Sequence, residues 1–199
     1  CFQQFSPKHV SCSQCGKSFQ ISTGMQLKCK KNVWDLPTRC EECKHDALLI
    51  KGAVGALRDQ FPFALETTIE KRGILFTDKV AIVRSKKTGE VLAEVTMDTE
   101  GIIFTERVAK VVDIKTSKEL SRTREGQEGI IFTKRTADTF ESKTSEKTHR
   151  TKVESKGIIF PQHFAETKRM DGTSEKIETR VEDKGIIFKT KVMKTDKKK

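Results

Sequence analysis

Apolar positions are sparse along this chain, and they recur on a fixed period. The run Gly101-Ile102-Ile103-Phe104 returns at Gly129 to Phe132, Gly157 to Phe160 and Gly185 to Phe188, and the variant Gly73-Ile74-Leu75-Phe76 precedes them. The glycines at 73, 101, 129, 157 and 185 are spaced 28 residues apart without insertion or deletion, which marks a tandem array. Each unit reads as two extended stretches joined by a turn. The turns fall at Lys87-Thr88-Gly89-Glu90, Lys115-Thr116-Ser117-Lys118, Lys143-Thr144-Ser145-Glu146 and Asp171-Gly172-Thr173-Ser174, where Gly and Asp supply the backbone freedom a reversal needs. Two strands of about ten residues and two connections account for the period. The pattern therefore predicts a β-hairpin per unit and an extended antiparallel meander overall, with a β-solenoid of one coil per unit as the alternative.

The array is expected over 63–199: a half unit at 63–72, full units starting at 73, 101, 129 and 157, and a partial unit at 185–199. Its repeat core is read as Gly73, Phe76, Gly101, Phe104, Gly129, Phe132, Gly157, Phe160, Gly185 and Phe188. Elsewhere the units are polar, and Ala81, Ala109, Ala137 and Ala165 form a column suited to a small side chain. The picture is a narrow apolar band on a solvated sheet whose two edge strands are open to pairing.

Ahead of the array, Ala47, Leu48, Ile50, Ala53, Val54 and Leu57 fall at helical spacing. They predict a helical connector over 46–62, capped by Asp46 and stopped by Pro62. Gly52 and Gly55 weaken such a helix by up to about 1 kcal/mol each, unless a small face is needed against another element.

The N-terminal part, 1–45, has a different pattern. Cys12-x-x-Cys15 and Cys40-x-x-Cys43 are separated by 24 residues. Two such hooks aim four sulfurs at one point and suit a tetrahedral metal shell. Two disulfides or a redox pair are the alternatives, and iron competes with zinc. Four thiolates leave no coordination position for substrate, so the site is structural. Cys29, between the hooks, reads as a buried small hydrophobe. The run Cys12-x-x-Cys15-Gly16-x-x-Phe19 followed by Pro37-Thr38-Arg39-Cys40-x-x-Cys43-Lys44 resembles the family described as a probable zinc-binding (zinc-ribbon) domain. That resemblance covers residues 10–45 and implies a small zinc-stapled β fold with one structural Zn²⁺ and no assigned activity.

Charge changes the picture less than its total suggests. The net +11 divides into +4 for residues 1–72 (11 Lys/Arg, 7 Asp/Glu), +2 for 73–188 (22 and 20) and +5 for 189–199 (6 and 1). The array is nearly neutral, and the tail from Lys194 reads as a solvated disordered end. Phosphate-loop, metalloprotease and serine-hydrolase motifs are absent from the sequence, so a non-catalytic protein is expected. It reads as a structural or scaffold protein with a self-associating or partner-binding array. The alternative is a nucleic-acid-binding protein that uses Lys28, Lys30, Lys31 and Arg39 near Trp34 together with the basic tail. The thiolate site points to a reducing, cytoplasmic compartment, and no run of about 20 apolar residues suggests a membrane span.

Overall fold

The computed structural model describes residues 6–72, 78–101, 106–128, 134–156, 162–184 and 190–198. It divides into two units, Cys1–Ala47 and Leu48–Lys199. In the first, β1 (Lys8–Ser11) and β2 (Ser18–Ile21) form an antiparallel hairpin, followed by α1 (Thr23–Lys31). The helix between the hooks goes beyond the small β fold that the resemblance implied. Ser22 caps it by accepting the Met25 N–H at 3.3 Å, as an N-cap serine does. The connector helix starts earlier and ends sooner than expected: α2 spans Glu41–Arg58, stopping before Pro62. It starts at the second cysteine hook because the Cys40 carbonyl already accepts the Lys44 N–H at 3.1 Å. Glu41 and Glu42 in its first turn complement the helix dipole, so Asp46 is not the cap.

The second unit is built on ten strands: β3 (Leu65–Arg72), β4 (Asp78–Ser85), β5 (Val91–Glu100), β6 (Glu106–Asp113), β7 (Glu119–Glu128), β8 (Lys134–Glu141), β9 (Lys147–Lys156), β10 (Gln162–Arg169), β11 (Lys176–Lys184) and β12 (Thr190–Lys198). Consecutive strands pair antiparallel, as the hairpin reading requires. The array is neither an open meander nor a solenoid, because β12 also pairs with β3, Val192 facing Thr68 and Thr195 facing Leu65, and closes a barrel. The leading half unit and the trailing partial unit thus complete one another. All ten strands are paired on both sides, so the open edges expected for self-association are not found among them.

Curvature is written into the repeat. Leu92, Leu120 and Thr148 are each bypassed in the register with the preceding strand, where the pairing shifts after Val83, Val111 and Thr139. Such bulges bend a sheet toward closure. The bulged carbonyls are not lost: those of Leu92, Leu120 and Thr148 accept the N–H of Ile114, Ser142 and Met170 at 2.8–3.2 Å. The turns repeat as well. Gly89, Ser117 and Ser145 occupy one column with φ of 74°, 52° and 58°, and each N–H bonds the carbonyl four residues back. Of the expected repeat core, Gly101 alone is described, exposed and at φ 101°. Gly73, Phe76, Phe104, Gly129, Phe132, Gly157, Phe160, Gly185 and Phe188 lie outside the described residues, in the intervals between paired strands.

Among the described residues the core lies on the strands and on α2. Each strand contributes one almost fully buried residue to an inner band: Thr67, Val83, Val95, Val111, Thr123, Thr139, Thr151, Thr167, Thr179 and Thr195. These positions are β-branched throughout, a shape that suits a pleated wall. On one side of the barrel the band is Val, and it joins the Ala81, Ala93 and Ala109 positions around Leu49, Ile50, Ala53, Val54 and Leu57 of α2. On the other side it is Thr, and six of the hydroxyls bond one another across strands: Thr123 with Thr139 at 2.8 Å, Thr151 with Thr167 at 2.6 Å and Thr179 with Thr195 at 3.0 Å, while the Thr67 hydroxyl is buried without a partner. The later half of α2 therefore fills the lumen. An eight-stranded barrel is just filled by its own side chains, and ten strands leave room for more. Gly52 and Gly55 face the threonine wall, where a Cβ at Gly52 would stand 2.8 Å from the Ala137 Cβ and one at Gly55 2.9 Å from the Thr167 Cβ. The small face suggested by the glycines is thus an approach of helix to wall.

The end of α2 is tied down by charge. The Asp59 carboxylate meets Lys197 at 2.6 Å, Arg169 at 3.2 Å and His149 at 3.3 Å. Lys197 also reaches Glu175 at 3.0 Å. Lys194 and Lys197 are therefore on a strand, with Lys197 in an ion cluster, rather than in a solvated disordered end. Burial pushes the Asp59 carboxyl up, and Lys197, His149 and Arg169 overcome it and hold it below the usual range. Burial also lowers the His149 imidazole, with Asp59 opposing. Both folded values lie below their unfolded ones of about 6.5 for His and 3.9 for Asp. The His149 contribution is complete above pH ~6.5 and is lost as pH falls through the folded value; the Asp59 contribution follows at lower pH. Thermal unfolding should therefore shift to lower temperature on acidification from pH 7 to 5, and His149→Gln should flatten that dependence.

Candidate metal centre and its basic face

The four sulfurs of Cys12, Cys15, Cys40 and Cys43 lie within 4.8 Å of one another. Cys15 and Cys40 are 3.8 Å apart. Four sulfurs at about 2.3 Å from a shared metal sit about 3.8 Å from each other in a tetrahedron, whereas a disulfide requires about 2.05 Å. In donor set and spacing the cluster could hold a metal ion, and these cysteines are free thiols.

Local structure sets each donor. The first hook closes with the Gly16 N–H on the Cys12 carbonyl at 2.9 Å, Gly16 taking φ 76°. The second hook is the start of α2. Cys12 receives the Cys40 N–H at 3.4 Å. Burial pushes its thiol up, but backbone N–H groups of Cys15, Cys40 and Gln14 outweigh this and bring it down to about 6. Cys12, Cys40 and Cys43 are buried, leaving little access for a substrate. Cys29 is buried as expected and stands outside the cluster. Cys1 lies outside the described residues.

Lys28, Lys30 and Lys31 come together on the last turn of α1, where cations complement the helix dipole. Arg39 is not part of α1; it is half-buried and precedes Cys40 in sequence. The helix then stops in a specific way. The Val33 N–H bonds the Lys30 carbonyl at 3.3 Å and the Trp34 N–H reaches back to the Cys29 carbonyl at 2.8 Å, the paired bonds of a Schellman stop. The residue in the left-handed position is Val33, at φ 55°. Glycine or asparagine normally takes that place, since a β-branched side chain is strained there. Val33 and Trp34 are nevertheless 93% and 54% exposed. Sequence reasoning named the lysines and Trp34 but passed over Val33, whose only signal is the missing glycine after a run of helix formers.

In the barrel, a depression of about 220 Å³ lies beside the end of α2, lined among others by Gln60, Ser121, Thr148 and His149. His149 there bonds Thr148 at 3.0 Å and Asp59 at 3.3 Å. Asp59 is already engaged by Lys197 and Arg169, so the grouping is an ion cluster that anchors the helix end. Among the described residues, no helix is long and apolar enough to cross a membrane.

No protein-family model, no curated protein and no solved structure matches this chain. The zinc-ribbon resemblance accordingly rests on the two hooks and the metal-competent cluster they form.

Proposed function

We propose that the protein is a non-catalytic binding scaffold. It combines a zinc-stapled module that presents a recognition face with a β-barrel that keeps its own shape. The observation that carries this reading is the closed, helix-filled barrel. Its strands are paired on both sides, and its lumen is occupied by Leu49, Ile50, Val54 and Leu57. Such a body favours partner binding through side chains over edge-to-edge assembly. The four-thiolate shell supports a structural role for the metal, and Zn²⁺ is the ion that this donor set and geometry suit best. A reducing compartment would keep these thiols available.

Light scattering on a sizing column, with metal analysis of natively purified protein, tests the reading. The expected result is a monodisperse monomer holding one zinc per chain. A large, salt-resistant species would overturn it and return the barrel to self-assembly.

A further inference from the structure

The end of α1 combines features that a purely structural helix stop does not need. Gln26 and Cys29 are its buried residues. Leu27 and Lys31, four residues apart, lie on the helix surface away from that side, and Trp34 follows the C-cap Asn32 by two residues. Leu27 is 49% exposed, and Val33 and Trp34 are exposed as well. Lys28, Lys30 and Lys31 make the last turn basic, and the one acid next to Trp34 in sequence is the exposed Asp35. One lysine would suffice for the helix dipole, and a glycine would relieve the stop. Keeping three lysines, a strained valine and an exposed indole together is the mark of a site where strain is retained for use.

We propose that this face binds single-stranded nucleic acid: a base stacks on the Trp34 ring while Lys28, Lys30 and Lys31 neutralise flanking phosphates. The proposal rests on the reading of the protein as a binding scaffold. Positive charge interleaved with an exposed aromatic ring is the chemistry that holds single strands without sequence preference. An acidic peptide shares the charge complementarity, but a helix or strand of such a partner needs a groove to lie in. A ring projecting at a helix stop instead offers one flat face to one flat ligand. The basic tail is not required, since Lys197 is engaged by Asp59 and Glu175.

The chain contains one Trp and no Tyr, so its long-wavelength emission reports Trp34 alone. The test is a titration of zinc-loaded, full-length protein with an oligothymidylate of about 15 nucleotides, the probe length lying within the site sizes of single-strand binders. Saturable quenching is expected. The logarithm of the affinity should fall with the logarithm of salt at a slope of about −2, from three neutralised phosphates at about 0.7 each. Labelled-DNA anisotropy should show that Trp34→Phe retains binding, while Trp34→Ala weakens it tenfold or more. The triple change Lys28→Gln, Lys30→Gln, Lys31→Gln leaves the helix stop in place and should flatten the salt slope.

Absence of quenching in a zinc-loaded monomer would overturn this proposal while leaving the scaffold reading intact. Competition by polyglutamate equal to that by the oligonucleotide would overturn it in favour of an acidic protein partner. A filament in light scattering would instead overturn the scaffold reading itself.

Discussion

Gly55→Ala should destabilise the barrel by about 3 kcal/mol, the upper range for overpacking a filled core. In an exposed helix the same change stabilises by up to about 1 kcal/mol, so even the sign tests where the helix lies. The new methyl would stand 2.9 Å from the Thr167 Cβ and 3.2 Å from its Cγ2, with Oγ1 closer still. Thr167 cannot retreat cheaply. Its hydroxyl is bonded to Thr151 at 2.6 Å, and its strand is paired on one side with β9 and on the other with β11. For a body of this size the loss corresponds to a fall in melting temperature of about 10 °C. Thr167→Ala alone gives up one hydroxyl bond, worth about 1 kcal/mol. Combined with Gly55→Ala it removes Oγ1 and Cγ2 from the clash, so the double variant should be more stable than the sum of the singles by at least about 1 kcal/mol. A Gly55→Ala protein that melts at or above the parent temperature would mean that the helix does not occupy the lumen.

That helix shows why the sequence yielded parts of this fold and withheld others. Turns and cysteine hooks are local: Lys87-Thr88-Gly89 and Cys12-x-x-Cys15 carry their geometry within a few residues. Closure is not local. It rests on β3 meeting β12, segments more than a hundred residues apart, and each of them read alone is an incomplete boundary unit. The inner band was hidden by chemistry. Thr123, Thr139, Thr151 and Thr167 count as polar, so the later units looked solvated on both faces. Their hydroxyls instead pair with each other in the interior, and threonine keeps the shape of the valines it replaces across the barrel. The columns at 28-residue spacing, Thr67-Val95-Thr123-Thr151-Thr179 and Val83-Val111-Thr139-Thr167-Thr195, were present in the sequence. Ranking positions by branching at Cβ rather than by polarity would have exposed them. The tail misled for the opposite reason. Its lysines matched the composition of a disordered end, but Met193 and Thr195 on the same strand are buried.

Cys40→Ser should remove the metal and unfold the first unit while the barrel persists. A module of about 40 residues buries too little surface to hold itself without a metal or disulfide, and structural zinc supplies about 10–16 kcal/mol of binding free energy to such folds. Cys40 is a strict test because it serves three functions. It provides one of the four clustered sulfurs, its N–H bonds the Cys12 sulfur, and its carbonyl accepts the first helical bond of α2. Serine preserves the two backbone roles, so the change isolates the sulfur. Hydrogen exchange should show loss of protection across β1, β2 and α1, with protection retained in the barrel strands, whose core is built from Leu48–Lys199 alone. A chelator applied to the parent protein should reproduce the pattern. Cys29→Ser supplies the contrast: Cys29 is buried but outside the cluster, so one metal per chain should remain bound, at a stability cost of about 1–2 kcal/mol for burying a hydroxyl. Loss of protection in both units with Cys40→Ser would mean that the barrel depends on the metal module. Full protection would mean that three thiolates suffice and the site is open, which would admit a fourth, exchangeable ligand.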